Sequence, residues 1–136
     1  MKRALDLVKE AEAVIETLTP QAALDAQAAG TAVLVDIRDI RELKREGKVP
    51  GAVHAPRGML EFWVDPGSPY HRDVFAQPDK TYVFFCAAAW RSALATRDLQ
   101  SMGLAPVAHI AGGFTAWREQ GMPVEAPDAA QPTKAA

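Results

Sequence analysis

The chain has one cysteine in 136 residues. That excludes an internal disulfide, and it excludes a second thiol within the chain to resolve an oxidised one. A lone thiol suits a reducing compartment, so a cytoplasmic location is the expectation. No charge dominates: 15 Lys and Arg against 17 Asp and Glu leave a net charge of −2. Such a balance gives no reason to expect nucleic acid or an anionic membrane as partner. Long hydrophobic runs are missing as well, and nothing approaches the ~20 apolar residues that cross a bilayer. The start, Met1-Lys2-Arg3, resembles the charged head of a secretory leader, but Asp6, Lys9, Glu10 and Glu12 interrupt the apolar run a leader needs.

Several kinds of site are absent too. His54, His71 and His109 lie in separate segments without ligand spacing, and Cys86 has no CxxC partner, so neither metal nor cofactor is expected. His54 is expected to bond backbone near a sheet edge, and His109 to sit in a strand. Ser68 lacks the Gly-x-Ser-x-Gly setting of a hydrolase nucleophile. Glu46-Gly47-Lys48 lacks the preceding glycine of a phosphate-binding loop.

What is present is one domain's worth of alternating strands and helices. Apolar positions at Ala4, Leu7, Val8, Ala11 and Val14 predict a short amphipathic helix, read as an extension over residues 1–13. The domain proper is assigned to 14–125, and the Ala/Pro-rich stretch 126–136 is expected to be a disordered tail. Val14 to Leu18 is β-rich and predicts an edge strand. Thr19-Pro20 reads as an N-cap with proline at the first helical position, opening a helix that Gly30 ends. Ala32 to Ile37 is apolar and β-branched, as in a strand buried on both faces. Arg38 to Glu46 predicts a helix stopped by Gly47, and Val49 to His54 a turn feeding a short strand. Residues 57–79 look irregular around the turn cluster Asp65-Pro66-Gly67-Ser68-Pro69. Thr81 to Phe85 predicts a strand, Ser92 to Met102 a helix closed by Gly103, and Val107 to Ile110 another strand. Gly112-Gly113 makes a tight turn before a helix over Phe114 to Gln120, in which Phe114 and Trp117 are core anchors, and Gly121-Met122-Pro123 ends the fold. The alternation predicts an α/β fold with a parallel, twisted sheet covered by helices on both faces. Ligands bind beyond the C-terminal ends of such strands, where Cys86 falls.

The chemistry of Cys86 follows from that placement. A strand stops at Phe85, a few residues turn, and a helix begins near Arg91-Ser92. Amides at a helix start lack partners and make an anion cradle. With a guanidinium nearby, such settings lower a cysteine pKa from ~8.5 into the range of about 3.5–7.5. The alternative is an inert structural cysteine at a strand end; an arginine five residues on makes the reactive reading the stronger one.

Three segments then resemble the signatures of single-domain rhodaneses. The first is Val35-Asp36-Ile37-Arg38 with Glu42 and Gly47-Lys48-Val49-Pro50-Gly51-Ala52-Val53-His54-Ala55-Pro56. The second is Cys86-Ala87-Ala88-Ala89-Trp90-Arg91-Ser92, and the third Ile110-Ala111-Gly112-Gly113-Phe114-Thr115-Ala116-Trp117. The resemblance runs from about Thr17 to Val124. It implies a rhodanese-like α/β fold with a central, mostly parallel five-stranded sheet. It implies a sulfurtransferase in which Cys86 takes a sulfane sulfur from a small anionic donor such as thiosulfate and passes it to cyanide, a thiol or a protein acceptor. Cys86 and Arg91 are then the catalytic pair, and the loop of Ala87, Ala88, Ala89, Trp90 and Ser92 holds the persulfide. Asp36, Arg38 and Arg57 are candidates for the surrounding shell. For Asp36 and Arg38 a mutual structural pairing is favoured over a contribution to the field. Arg57, Tyr70, His71 and Arg72 are read as solvated loop residues, with a lid over the pocket as the alternative.

Two rivals follow. Phosphatases and arsenate reductases of the same fold place five residues between cysteine and arginine; here four intervene, a smaller cradle that favours one sulfur atom over phosphate. A non-enzymatic sulfur carrier or partner-binding module is the other. Two positions depart from the family. Glycine is common where this chain has Ala89. If that position needs a positive φ, alanine adds strain of about 1–2 kcal/mol, which points to a somewhat different loop path. Trp90 is bulky for the rim and is expected to pack against residues 57–79, with a place in the pocket wall as the alternative.

Overall fold

The computed structural model describes residues 1–127. Five strands form one sheet: β1 (Glu16–Leu18), β2 (Ala32–Asp36), β3 (Val53–His54), β4 (Thr81–Phe85) and β5 (Val107–Ile110). Their order is β1-β5-β4-β2-β3, and every pairing is parallel. The helices are α1 (Ala4–Glu12), α2 (Pro20–Ala28), α3 (Ile40–Glu46), α4 (Leu60–Val64), α5 (Trp90–Met102) and α6 (Gly113–Glu119). This is the five-stranded α/β architecture that was expected, with all five strands parallel.

Period-two alternation sorts the strand residues between two cores. Tyr82 and Phe84 of β4 join Val35 and Ile37 against α4 and α5, where Leu60, Ala95 and Leu99 are buried. Val83 and Phe85 face the other way with Leu34, against Ala23 of α2 and Phe114 and Trp117 of α6. Phe114 and Trp117 are thus core anchors, as their spacing predicts. Helix α1 lies on the outer side of α5, with Val8 and Ala11 against Ala93.

Local signals account for most boundaries. The Thr19 hydroxyl accepts from the Ala22 N–H and Pro20 opens α2. Asp39 caps α3, and Glu42 returns the bond to the Asp39 N–H, a capping box. Four expectations are corrected. Residues 57–79 are not simply irregular: they hold α4 and two 3-10 turns, Arg57–Met59 and Asp73–Phe75, and they bury Leu60, Val64 and Phe75 in the core. Helix α5 begins at Trp90, not Ser92, because Ala89 can serve as its N-cap. The first strand shrinks to Glu16–Leu18, since only these residues find partners on β5, and Val14 is exposed. The fold continues past Pro123, where Glu125 pairs antiparallel with Lys48 through bonds of 2.8 and 3.2 Å. From residue 128 on, the expected tail lies outside the described residues.

Candidate functional site

Cys86 follows β4 and carries on its alternation, so its side chain turns toward the α4–α5 face and is 1% exposed. The Ser92 N–H, in the first turn of α5, donates to Cys86 Sγ at 3.4 Å, and the Ser92 hydroxyl lies 3.7 Å from the same sulfur. The N–H groups of residues 87–91 find no hydrogen-bond acceptor among the described residues. The thiol therefore sits at the positive end of a 13-residue helix, beside amides that remain available to an anion.

The backbone of the loop is held from behind. Cys86 O accepts the Phe114 N–H at 2.7 Å, and Ala87 O accepts the Thr115 N–H at 3.1 Å. In a trans peptide the next N–H points opposite to the carbonyl, so the amides of Ala87 and Ala88 are turned away from α6. Gly113 permits this approach. Its φ is +58°, and a Cβ there would stand 2.4 Å from Cys86 O and 2.8 Å from Ala87 O. The Gly-Gly turn thus does more than reverse the chain, a role that local sequence does not reveal. Arg38 contributes indirectly: its guanidinium lies 4.0 Å above the Phe114 ring.

Ala89 takes φ 76° and ψ 1°. The position does need a left-handed residue, and alanine adopts that conformation; the different loop path expected from the missing glycine is not taken. The strain stays in the loop, as is common at functional sites. Trp90 is 58% exposed, so most of its surface is left uncovered by residues 57–79 or any other described segment. As the first residue of α5 it turns to solvent at the rim of the loop.

Arg91 is engaged from an unexpected quarter. Its two terminal nitrogens donate to Glu42 at 2.7 and 3.0 Å, a bidentate pair. The hydrogen bonds to Glu42 hold the guanidinium firmly charged, with smaller contributions from Glu42's charge and from Cys86. Conversely, the Arg91 hydrogen bonds keep the Glu42 carboxyl below its ordinary range, against an opposing effect of burial. Glu42 belongs to the first sequence segment that carried the resemblance, but no local pattern identified its partner.

Asp36 and Arg38 bond to each other and to nearby backbone. Arg38 is fully buried, forks onto both Asp36 oxygens at 2.8–3.2 Å and donates to Gly47 O at 2.9 Å. His54 Nε2 lies 2.7 Å from Arg38 O, the backbone contact expected of it. Arg57 pairs with Glu61 at 2.8 Å and Asp98 at 3.1 Å, which ties α4 to α5. Tyr70 is exposed, and Arg72 stacks over Trp63 at 4.0 Å. His71 lines an apolar cavity of about 300 Å³ with Val64, Phe75, Met102 and Leu104. That cavity is at the C-terminal end of α5, roughly 20 Å along the helix from the Cys86 loop, so His71 is no lid over the thiol. Among the described residues no cluster of His, Cys, Asp and Glu suits a metal, and no helix is long and apolar enough to cross a membrane.

One constellation was not legible in advance. The Ser92 hydroxyl lies 3.1 Å from Nδ1 of His109, whose Nε2 lies 3.1 Å from the hydroxyl of Thr17. His109 is fully buried; burial pushes its pKa below the ordinary histidine value, and the charge of Glu12 opposes this weakly.

The model of the rhodanese-like domain matches residues 19–120. A sulfurtransferase of Allochromatium vinosum is 31% identical over 96 residues, covering 71% of this chain and 80% of its own. A solved structure of a Rhodopseudomonas palustris protein of unknown function, named a possible tyrosine phosphatase, is 50% identical with a TM-score of 0.87. The match covers 92% of this chain and 96% of that one. The polysulfide-sulfur transferase homodimer of Wolinella succinogenes is 33% identical with a TM-score of 0.67, covering 87% of this chain and 83% of its own.

Proposed function

The chain belongs to the rhodanese-like domain family, with sulfurtransferases among its relatives, and from that premise we propose that it transfers sulfane sulfur through a persulfide on Cys86. The observation that carries this reading is the sulfur's setting: Sγ is held by the Ser92 N–H at 3.4 Å, beside loop amides that have no acceptor among the described residues. That arrangement favours negative charge on the sulfur, or on a second sulfur attached to it.

With thiosulfate as donor, the Cys86 thiolate attacks the outer sulfur. The S–S bond of thiosulfate breaks, its electron pair leaves with sulfite, and Cys86 becomes a persulfide anion. Cyanide or a thiolate then attacks the terminal sulfur, and the electron pair of the persulfide bond returns to Cys86. The amides of Ala87 to Ser92 hold the anion in both steps. Arg91, anchored by Glu42, presents positive charge at the loop without being free to swing away.

The name of the Rhodopseudomonas palustris protein supports a second reading, a phosphatase. Four residues between Cys86 and Arg91 make a tighter ring than phosphate needs, which weighs against that reading. The test is intact mass after treatment with thiosulfate and other sulfane donors, alongside thiosulfate:cyanide transfer. The wild type gains one sulfur and the Cys86→Ser variant gains none. A wild type that takes up no sulfur from any donor overturns the transferase reading. Hydrolysis of an aryl phosphate by wild type alone puts the phosphatase in its place.

A further inference from the structure

Buried behind Cys86 is an unbroken polar chain that the transfer chemistry above leaves unused. It runs from Cys86 Sγ to the Ser92 hydroxyl at 3.7 Å, to His109 Nδ1 at 3.1 Å, and from His109 Nε2 to the Thr17 hydroxyl at 3.1 Å. Cys86, Ser92 and His109 are each 1% exposed or less, whereas Thr17 is exposed on the edge strand β1. The chain crosses three adjacent strands' worth of sheet, from the end of β4 through β5 to β1. A buried histidine is usually held by one partner on each ring nitrogen; here both partners are hydroxyls, which donate or accept equally well. Nothing in the chain therefore ties His109 to one tautomer.

We propose that His109 and Thr17 are positioning residues that link the protonation of Cys86 to solvent through a tautomer switch relayed by Ser92. With Cys86 a thiol, S–H donates to Ser92 Oγ, the Ser92 hydroxyl donates to Nδ1, and Nε2–H donates to the Thr17 hydroxyl. On ionisation each proton moves one place along. The thiol proton passes to Ser92 Oγ, the Ser92 proton to Nδ1, the Nε2 proton to Thr17 Oγ1, and the Thr17 proton leaves to water. The imidazole ends neutral, as it began. Every bond then points the other way, and the Ser92 hydroxyl donates to the sulfur anion. Burial supports this arrangement, since it disfavours an imidazolium that would donate from both nitrogens and stop the relay. Glu12, at the end of α1, is the charged group that bears on His109, and it opposes that effect only weakly.

The proposal uses the reading of Cys86 as the reactive thiol, but its test needs no sulfur donor. The 15N signals of the His109 ring are followed in the intact protein across the pH interval in which Cys86 becomes open to alkylation by iodoacetamide. The expected result is that protonation moves from Nε2 to Nδ1 over that same interval. The Cys86→Ala variant should hold one tautomer throughout. Ser92→Ala should lose the coupling while Cys86 still titrates, a result that a merely packed histidine would not produce. One tautomer at all pH values in the wild type, or a switch that survives in Cys86→Ala, overturns the relay. Because persulfide formation is read separately by mass, a protein that switches tautomer yet takes up no sulfur leaves the relay standing and removes only the transferase.

Discussion

Glu42 receives both terminal nitrogens of Arg91, at 2.7 and 3.0 Å, across 49 residues of sequence. The same Glu42 oxygen that binds Arg91 Nη1 accepts the Asp39 N–H at 3.2 Å. One carboxylate therefore closes the N-terminus of α3 and anchors the arginine of the cysteine loop. The loop's cation is thus already paired within the protein.

Glu42→Gln can keep the capping box through its amide oxygen, but it removes the charge and one of the two acceptors for Arg91, because an amide NH2 only donates. The Glu42 pKa is lowered in the fold, so its contribution is complete above the unfolded value near 4.5 and is lost as pH falls through the folded value. Wild type should exceed the variant by about 1 kcal/mol at neutral pH, with the gap closing in acid. Urea unfolding from pH 7 down to pH 3 measures it. A gap that persists in acid would assign the loss to packing instead.

Gly113→Ala should be damaging well beyond its size. The new Cβ would meet two loop carbonyls at 2.4 and 2.8 Å, and φ of +58° adds strain of about 1–2 kcal/mol. Cys86 O and Ala87 O would lose their bonds to α6. We expect a stability loss of at least about 2 kcal/mol and a rate of sulfur uptake at least tenfold lower, read by denaturant unfolding and timed intact mass.

Ala89→Gly works in the opposite sense. It relieves the left-handed strain at φ 76°, worth about 1–2 kcal/mol, against about 0.5–1 kcal/mol for glycine's freer unfolded chain. The net expectation is a modest gain, somewhat under about 1 kcal/mol, measured as a raised urea midpoint with an unchanged slope. A lower midpoint would show that the methyl of Ala89, a buried residue, is worth more in packing than its strain.

Arg38→Leu removes the fork that satisfies Asp36 and leaves a buried carboxylate with, among the described residues, only the backbone N–H of residue 38 at 3.0 Å. Such unpaired charges cost about 3–5 kcal/mol. The double variant Asp36→Leu/Arg38→Leu should recover part of that loss. Thermal and urea unfolding of the three proteins test it, and equal losses in the single and double variants would count against the ion pair as the cause.

Much of this protein was decided locally and was readable without a structure. The Thr19-Pro20 start of α2, the strand over Thr81 to Phe85 and the placing of Cys86 after a strand and before a helix follow from caps and local β-propensity, which act between near neighbours. Ala89 as a left-handed position was legible as a question, and only the backbone answered it. Tertiary structure alone decided the rest: Glu42 on Arg91, Gly113 under the carbonyl of Cys86, and Thr17 and His109 behind Ser92. The physical reason is the strand order β1-β5-β4-β2-β3, which lays the first strand beside the last and brings distant residues into register. No local preference encodes that order; it emerges when helices must cover both faces of one parallel sheet.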